Sequence, residues 1–154
     1  MARPERELAI PALLRASRGA YGHAVRVRLA AAGFDDLPRN GPYVIGGMAN
    51  HGGTAAGLVR ELGVSKQAAS QLIDALVLRG YLERDVDPED RRRLTIALTE
   101  RGRAAAAAVR AGVESIDDEL QEKLSPAELQ GLWAGLVALC EIRERLEEEP
   151  DPPR

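Results

Sequence analysis

At 154 residues and a net charge of −3, the chain is long enough for one domain with a real core and too short for two well-packed ones. Apolar content of 45% and charged content of 29% exclude a disordered chain, and aromatics at 3% leave the packing to aliphatic side chains on a helix-rich background of Ala, Leu, Glu and Arg. The single cysteine, Cys140, excludes an intramolecular disulfide and a cysteine-based zinc site.

No stretch approaches the roughly 20 apolar residues needed to cross a bilayer. The opening "MARPERELAIPALL" is charged and lacks the apolar run of a signal peptide, so a cytoplasmic location is the default expectation. The acidity is unevenly placed. Residues 1–57 carry seven basic and four acidic side chains (+3), residues 58–103 nine and eight (+1), and residues 104–154 five and twelve (−7). The global charge is therefore a poor guide to what the middle of the chain can bind.

In chain order, about Glu5 to Ala32 reads as a long helix, with Leu8, Ala12, Ala16 and Ala20 on one stripe. "GFDDLPRNGP" ends it with glycines, an aspartate pair and two prolines. "YVIGGMANHGG" is a short, glycine-interrupted helix followed by a turn, and "TAAGLVREL" is a second short helix closed by Gly63. Ser65 caps a third, in which Leu72, Ile73, Leu76 and Val77 repeat at helical spacing before Gly80 closes it. Past Gly80 the period shortens. "YLERDV" and "RLTIALT" suit two short strands around the turn "DPED", with Leu94, Ile96 and Leu98 alternating. A long helix follows, with Val109, Val113, Ile116, Leu120 and Leu124 on one stripe. "SPAE" at 125–128 is a capping box that opens a last helix with a broad apolar face, including Leu132, Trp133, Leu136 and Cys140. On that face a buried, inert thiol is expected for Cys140.

The segment "LVRELGVSKQAASQLIDALVLRGYL" carries the main chemical signal. Leu58 and Leu62 anchor one helix, Gly63 allows the tight turn, Val64 plugs between helices and Ser65 caps the next. Opposite the apolar stripe, the first two turns show Lys66, Gln67, Ser70 and Gln71, one cation and three small hydrogen-bonding groups. That set suits a helix whose N-terminal residues enter a major groove, where Gln can pair bidentately with adenine. A solvated polar face is the plainer explanation for any lone helix pair. Three short helices ending in a hairpin, however, make a winged helix-turn-helix. Arg91, Arg92 and Arg93 at the hairpin tip could lie along a DNA backbone or enter a minor groove, or be solvated charges neutralised by Asp87, Glu89 and Asp90.

With those residues in place, "GVSKQAASQLIDALVLRGYLERDVDPEDRRRLTIALTERG" resembles the signature of the MarR family of bacterial transcriptional regulators, including "D-P-x-D-R-R" and the closing "L-T-x-x-G" at Leu98, Thr99 and Gly102. The resemblance covers about residues 37–103, and the flanking helices fit the family's dimerisation elements. It implies a homodimer binding two half-sites of a pseudo-palindrome in double-stranded DNA. It also implies a repressor relieved when a small phenolic or otherwise apolar effector enters a crevice between the dimerisation and DNA-binding parts. By the same resemblance, recognition falls to Ser65, Lys66, Gln67, Ser70 and Gln71, and the wing to Asp90, Arg91 and Arg92, with Arg93 beside them. Two departures stand out: Ala69 where a larger aliphatic residue is usual, and a glycine-rich second helix beside the crevice.

His23 and His51 are far apart and lack a spaced carboxylate partner, which speaks against a metal site or histidine-based catalysis. The glycines at 41, 46, 47, 52, 53 and 57 read as turn residues and small packing contacts. No cofactor, no metal, no membrane and no enzymatic activity are expected. The expectation is a mainly α (α+β) chain in one MarR-type domain: a dimerisation helix over 5–36, a winged helix-turn-helix over 37–103, C-terminal dimerisation helices over 104–148 and a tail over 149–154. The alternative function is a winged-helix protein-interaction module without DNA binding.

Overall fold

The computed structural model describes residues 9–51, 54–86 and 94–148. Asp90, Arg91, Arg92 and Arg93 of the expected wing therefore lie outside the described residues. In chain order come α1 (Ile10–Ala31), α2 (Gly41–His51), α3 (Ala55–Glu61), α4 (Lys66–Leu78), β1 (Leu82–Val86), β2 (Leu94–Leu98), α5 (Glu100–Lys123) and α6 (Pro126–Glu148). This is the mainly helical, winged helix-turn-helix order read from the sequence. The chain divides into two units, Met1–Ser115 and Ile116–Arg154.

In the first unit the core is aliphatic, as the composition requires. Val25 and Leu29 of α1, Val44 and Ile45 of α2, Val59 of α3, Leu76 of α4, Leu82 of β1 and Val109 of α5 are buried together, with Tyr81 as their aromatic member. The alanine stripe of α1 takes no part in this core. Ala12, Ala16 and Ala20 are exposed, and the buried residues of this helix are Val25 and Leu29. An alanine stripe has helical period but little apolar area, so it does not by itself mark the buried face.

Local chemistry sets the boundaries of the short helices. Thr54 caps α3 by accepting the Gly57 N–H at 3.1 Å, and Ser65 caps α4 by accepting the Ala68 N–H at 3.2 Å. Between them Gly63 turns the chain at φ 64°. The end of α4 is a Schellman pair: the Gly80 N–H reaches the Val77 carbonyl and the Tyr81 N–H reaches the Leu76 carbonyl, each at 2.9 Å. Gly80 supplies the left-handed residue at φ 72° that this closure needs. Glycines 41, 46 and 47 lie within α2 rather than in turns, and a Cβ at Gly47 would sit 2.5 Å from a Leu58 methyl. The glycine-rich second helix thus allows α3 to pack close.

The hairpin is antiparallel, with Leu82 opposite Leu98, Arg84 opposite Ile96 and Val86 opposite Leu94. Its root is closed by the Thr99 N–H donating to the Tyr81 carbonyl at 3.1 Å. At Gly112 a Cβ would lie 2.6 Å from Val25 Cα, so α5 and α1 meet backbone to backbone there.

In the second unit, α6 opens with the capping box expected from "SPAE". The Glu128 carboxylate accepts from the Ser125 N–H at 2.9 Å and from its hydroxyl at 2.7 Å. Leu132, Trp133, Leu136, Leu139, Ile142 and Leu146 of α6 are exposed. Cys140 is exposed as well in the single chain, so the buried thiol expected there is not supplied by this chain alone.

Candidate nucleic-acid interface

The recognition residues read from the sequence occupy one continuous surface. Ser65 holds the N-cap of α4 and uses its hydroxyl on the backbone, so its part is to fix where the helix begins. Lys66, Gln67, Ser70 and Gln71 follow at helical spacing, and all four are exposed. None of these four side chains has a hydrogen-bond partner among the described residues. They are free to donate and accept outward. Behind them Ala69, Leu72, Ile73, Leu76 and Val77 pack on the core, so the polar face cannot rotate inward without exposing the apolar one. Ala69, smaller than is usual in the resemblance, still sits against the core.

One link joins this helix to the hairpin. The Arg84 guanidinium on β1 pairs with the Asp74 carboxylate on α4, with about half of each side chain solvent-exposed at 47% and 55%. Such an exposed pair contributes little stability. Its geometric effect is to keep the first strand alongside the helix. Neither partner was singled out in the sequence, because the pair joins separate elements and no local spacing signals it.

A second cluster lies at the hairpin root. The Asp36 carboxylate, between α1 and α2, accepts from the Tyr81 hydroxyl and from Arg101 at 2.9 Å. Arg101 also donates to the Tyr81 hydroxyl at 3.0 Å and lies over the Tyr81 ring at 4.6 Å from its centre. Phe34 meets Tyr81 edge to face at 6.1 Å. The Tyr81 hydrogen bond, with help from Arg101, holds the Asp36 carboxyl below the usual carboxylate range. Burial and the neighbouring Asp36 push the Tyr81 hydroxyl up, and Tyr81 and Asp36 likewise raise Arg101. Sequence reading missed this cluster entirely.

Beside it is a crevice of about 1070 Å³, lined by α1, the segment 34–40, α2, α3 and α5. Its apolar wall includes Val25, Leu29, Phe34, Leu58, Val109 and Val113. Arg18, Arg26 and Arg39 also line it, and none of the three has an acidic partner among the described residues. Tyr43 and Glu61 meet at its edge through a 2.6 Å hydrogen bond donated by the tyrosine hydroxyl.

No cluster of His, Cys, Asp or Glu suited to a metal ion occurs among the described residues, and no described helix is long and apolar enough to cross a membrane.

Residues 35–93 match the MarR family. No curated protein matches the sequence. Among solved structures, the chain is similar to Streptococcus pneumoniae FabT in complex with DNA at 22% identity and a TM-score of 0.73, over 89% of this chain and 96% of that one. It is similar to RV1404 from Mycobacterium tuberculosis at 28% identity and a TM-score of 0.64, over 99% and 100%. The S. aureus MepR–DNA complex aligns at 21% identity and a TM-score of 0.68, over 88% and 98%.

Proposed function

From a chain that matches the MarR family over residues 35–93 and has the fold of that family's transcription regulators, we propose a DNA-binding transcriptional regulator that acts as a homodimer on a pseudo-palindromic operator. The observation that carries this reading is the exposed, unpartnered set Lys66, Gln67, Ser70 and Gln71 on the first two turns of α4, followed in the sequence, after β1, by Arg91, Arg92 and Arg93. In this reading the side chains of α4 enter the major groove and the arginines of the tip contact the backbone or the neighbouring minor groove. Asp90 shapes the tip. Residues 37–103 form the DNA-binding part, and residues 5–36 and 104–148 the dimerisation part. Exposed Ile10 and Leu13 of α1 and the exposed face of α6 support the latter assignment.

The charge distribution is compatible with a polyanionic partner, because the acidic residues concentrate after residue 104. The protein acts as a cytoplasmic repressor, relieved when a small phenolic or otherwise apolar effector fills the crevice. Arg18, Arg26 and Arg39 favour an effector that also carries an acidic group. Selection of bound fragments from the source genome, followed by footprinting, tests the reading. A shared inverted repeat protected on both halves is the expected outcome. A folded protein that shifts no fragment at low salt would end the DNA-binding reading and leave the protein-interaction alternative.

A further inference from the structure

Segment 34–40 forms one wall of the crevice, and Phe34, Asp35, Leu37, Pro38, Arg39 and Asn40 all face it. Asp36 is the one residue of that run outside the wall. Its carboxylate is engaged instead by Tyr81 and Arg101. Tyr81, with 0% of its surface exposed, is a junction of three elements. Its N–H closes α4 on the Leu76 carbonyl at 2.9 Å, its carbonyl receives the Thr99 N–H at 3.1 Å from the end of β2, and the next residue begins β1. Arg101 stands in the first turn of α5. The crevice wall is thus joined through one side chain to the end of α4 and to both roots of the hairpin.

We propose that Asp36, Tyr81 and Arg101 form a positioning clasp that ties the crevice wall to the hairpin root, so that a change at either end is felt at the other. The clasp suits this role because its outer pair is polar and half-exposed while the Tyr81 ring stays in the core: Asp36 and Arg101 keep 43% and 44% of their side chains in solvent. Such a contact opens without breaking the core, unlike the buried contacts around it. By linkage, DNA that steadies the hairpin would also steady the wall, and an effector that moves the wall would loosen the hairpin. This last step rests on the DNA-binding reading; the clasp itself does not.

Backbone hydrogen exchange on the full chain separates the two. Tyr81→Phe keeps the ring against Phe34 and removes only the hydroxyl, while Asp36→Asn removes the charge from the other side. Both variants should speed exchange at residues 33–37 and at 80–82 and 98–99 together, by about five- to tenfold. Tyr43→Phe, which cuts the Glu61 contact at the crevice edge, should leave the hairpin root at the parental rate. A random-sequence duplex, which needs no operator, serves as the DNA probe. It should slow exchange at 33–37 in the parent and lose that effect in both clasp variants. If Tyr81→Phe and Asp36→Asn speed the hairpin root while 33–37 stays at the parental rate, the clasp does not join the two and the proposal fails. Duplex binding that protects the hairpin of the parent without reaching 33–37 would overturn it equally. If the parent does not bind the duplex, the DNA-binding reading fails, and the DNA-free comparison still decides the clasp.

Discussion

Thr99 and Gly102 fasten the start of α5 to the hairpin root: the Thr99 hydroxyl donates to the Gly80 carbonyl at 2.5 Å and accepts the Gly102 N–H at 2.9 Å. A Cβ at residue 102 would lie 2.0 Å from the Tyr81 carbonyl oxygen, a contact no side chain can make. The two residues define one joint.

Gly102→Ala should therefore cost about 3 kcal/mol or more, through forced separation of α5 from Tyr81. For a chain of this size that lowers the melting temperature by roughly 10 °C. Thr99→Val, which keeps the shape and removes the hydroxyl, should cost about 1–2 kcal/mol. Thermal unfolding followed by circular dichroism measures both. A Gly102→Ala variant that melts with the parent would show that the joint is not as tight as described.

"L-T-x-x-G" was legible only through the MarR-family resemblance: the Thr99–Gly102 hydrogen bond is local, but the contacts to Gly80 and Tyr81 that demand these two residues are not. Ser65 before α4, Gly80 after it and "SPAE" before α6 were legible from the residues themselves, because each acts within one turn of its own position. The Asp36–Tyr81–Arg101 clasp was illegible because its members are 20 to 65 residues apart and each is unremarkable alone. The α1 stripe was legible as a helix but not as a packing face. Period alone does not distinguish an alanine face from a packed one, and the larger Val25 and Leu29 decide the burial. The crevice is a product of packing between helices and has no signature in any one of them.

The clasp should contribute to both the acid and the alkaline limb of the stability profile. The Asp36 carboxyl is held below its ordinary range, so its contribution to stability is present above the unfolded-state value and is lost as pH falls through the folded one. The Tyr81 hydroxyl is held above its ordinary range, so its contribution is present below the unfolded-state value and is lost as pH rises through the folded one. Asp36→Asn should flatten the acid limb of a melting-temperature profile, and Tyr81→Phe should flatten the alkaline limb. Limbs that survive both substitutions unchanged would assign the pH dependence to other groups.

Two substitutions test the DNA reading by their different signatures. Gln67→Ala should relax preference at one or two base pairs and weaken binding to the selected site by about 1–3 kcal/mol. Arg92→Ala should weaken binding to all sequences alike and flatten the slope of log K against log salt by about one unit. Titrations of a selected fragment and a scrambled one, at several salt concentrations, separate the two effects. If both variants bound like the parent, the surface of α4 and the hairpin tip would not be the docking face.

The proposed homodimer can be followed with two native probes on one helix. Trp133 is the only tryptophan and Cys140 the only cysteine, and α6 carries both in exposed positions, Trp133 with 71% of its surface in solvent. Seven residues separate them, which is two helical turns, so they share a side of α6. Leu136 lies between them on that side. A second copy covering this face would bury all three and remove apolar area that a lone chain leaves in water. Tryptophan emission should then lie to the blue at micromolar concentration and move to the red on dilution, while thiol reagents should label Cys140 slowly in the concentrated protein and quickly in the dilute one. Leu136→Glu, by placing a charge at the centre of the covered face, should shift sedimentation to the monomer with red emission and fast labelling at every concentration. Fast labelling and red emission in a parent that sediments as a dimer would place the dimer contact away from this side of α6.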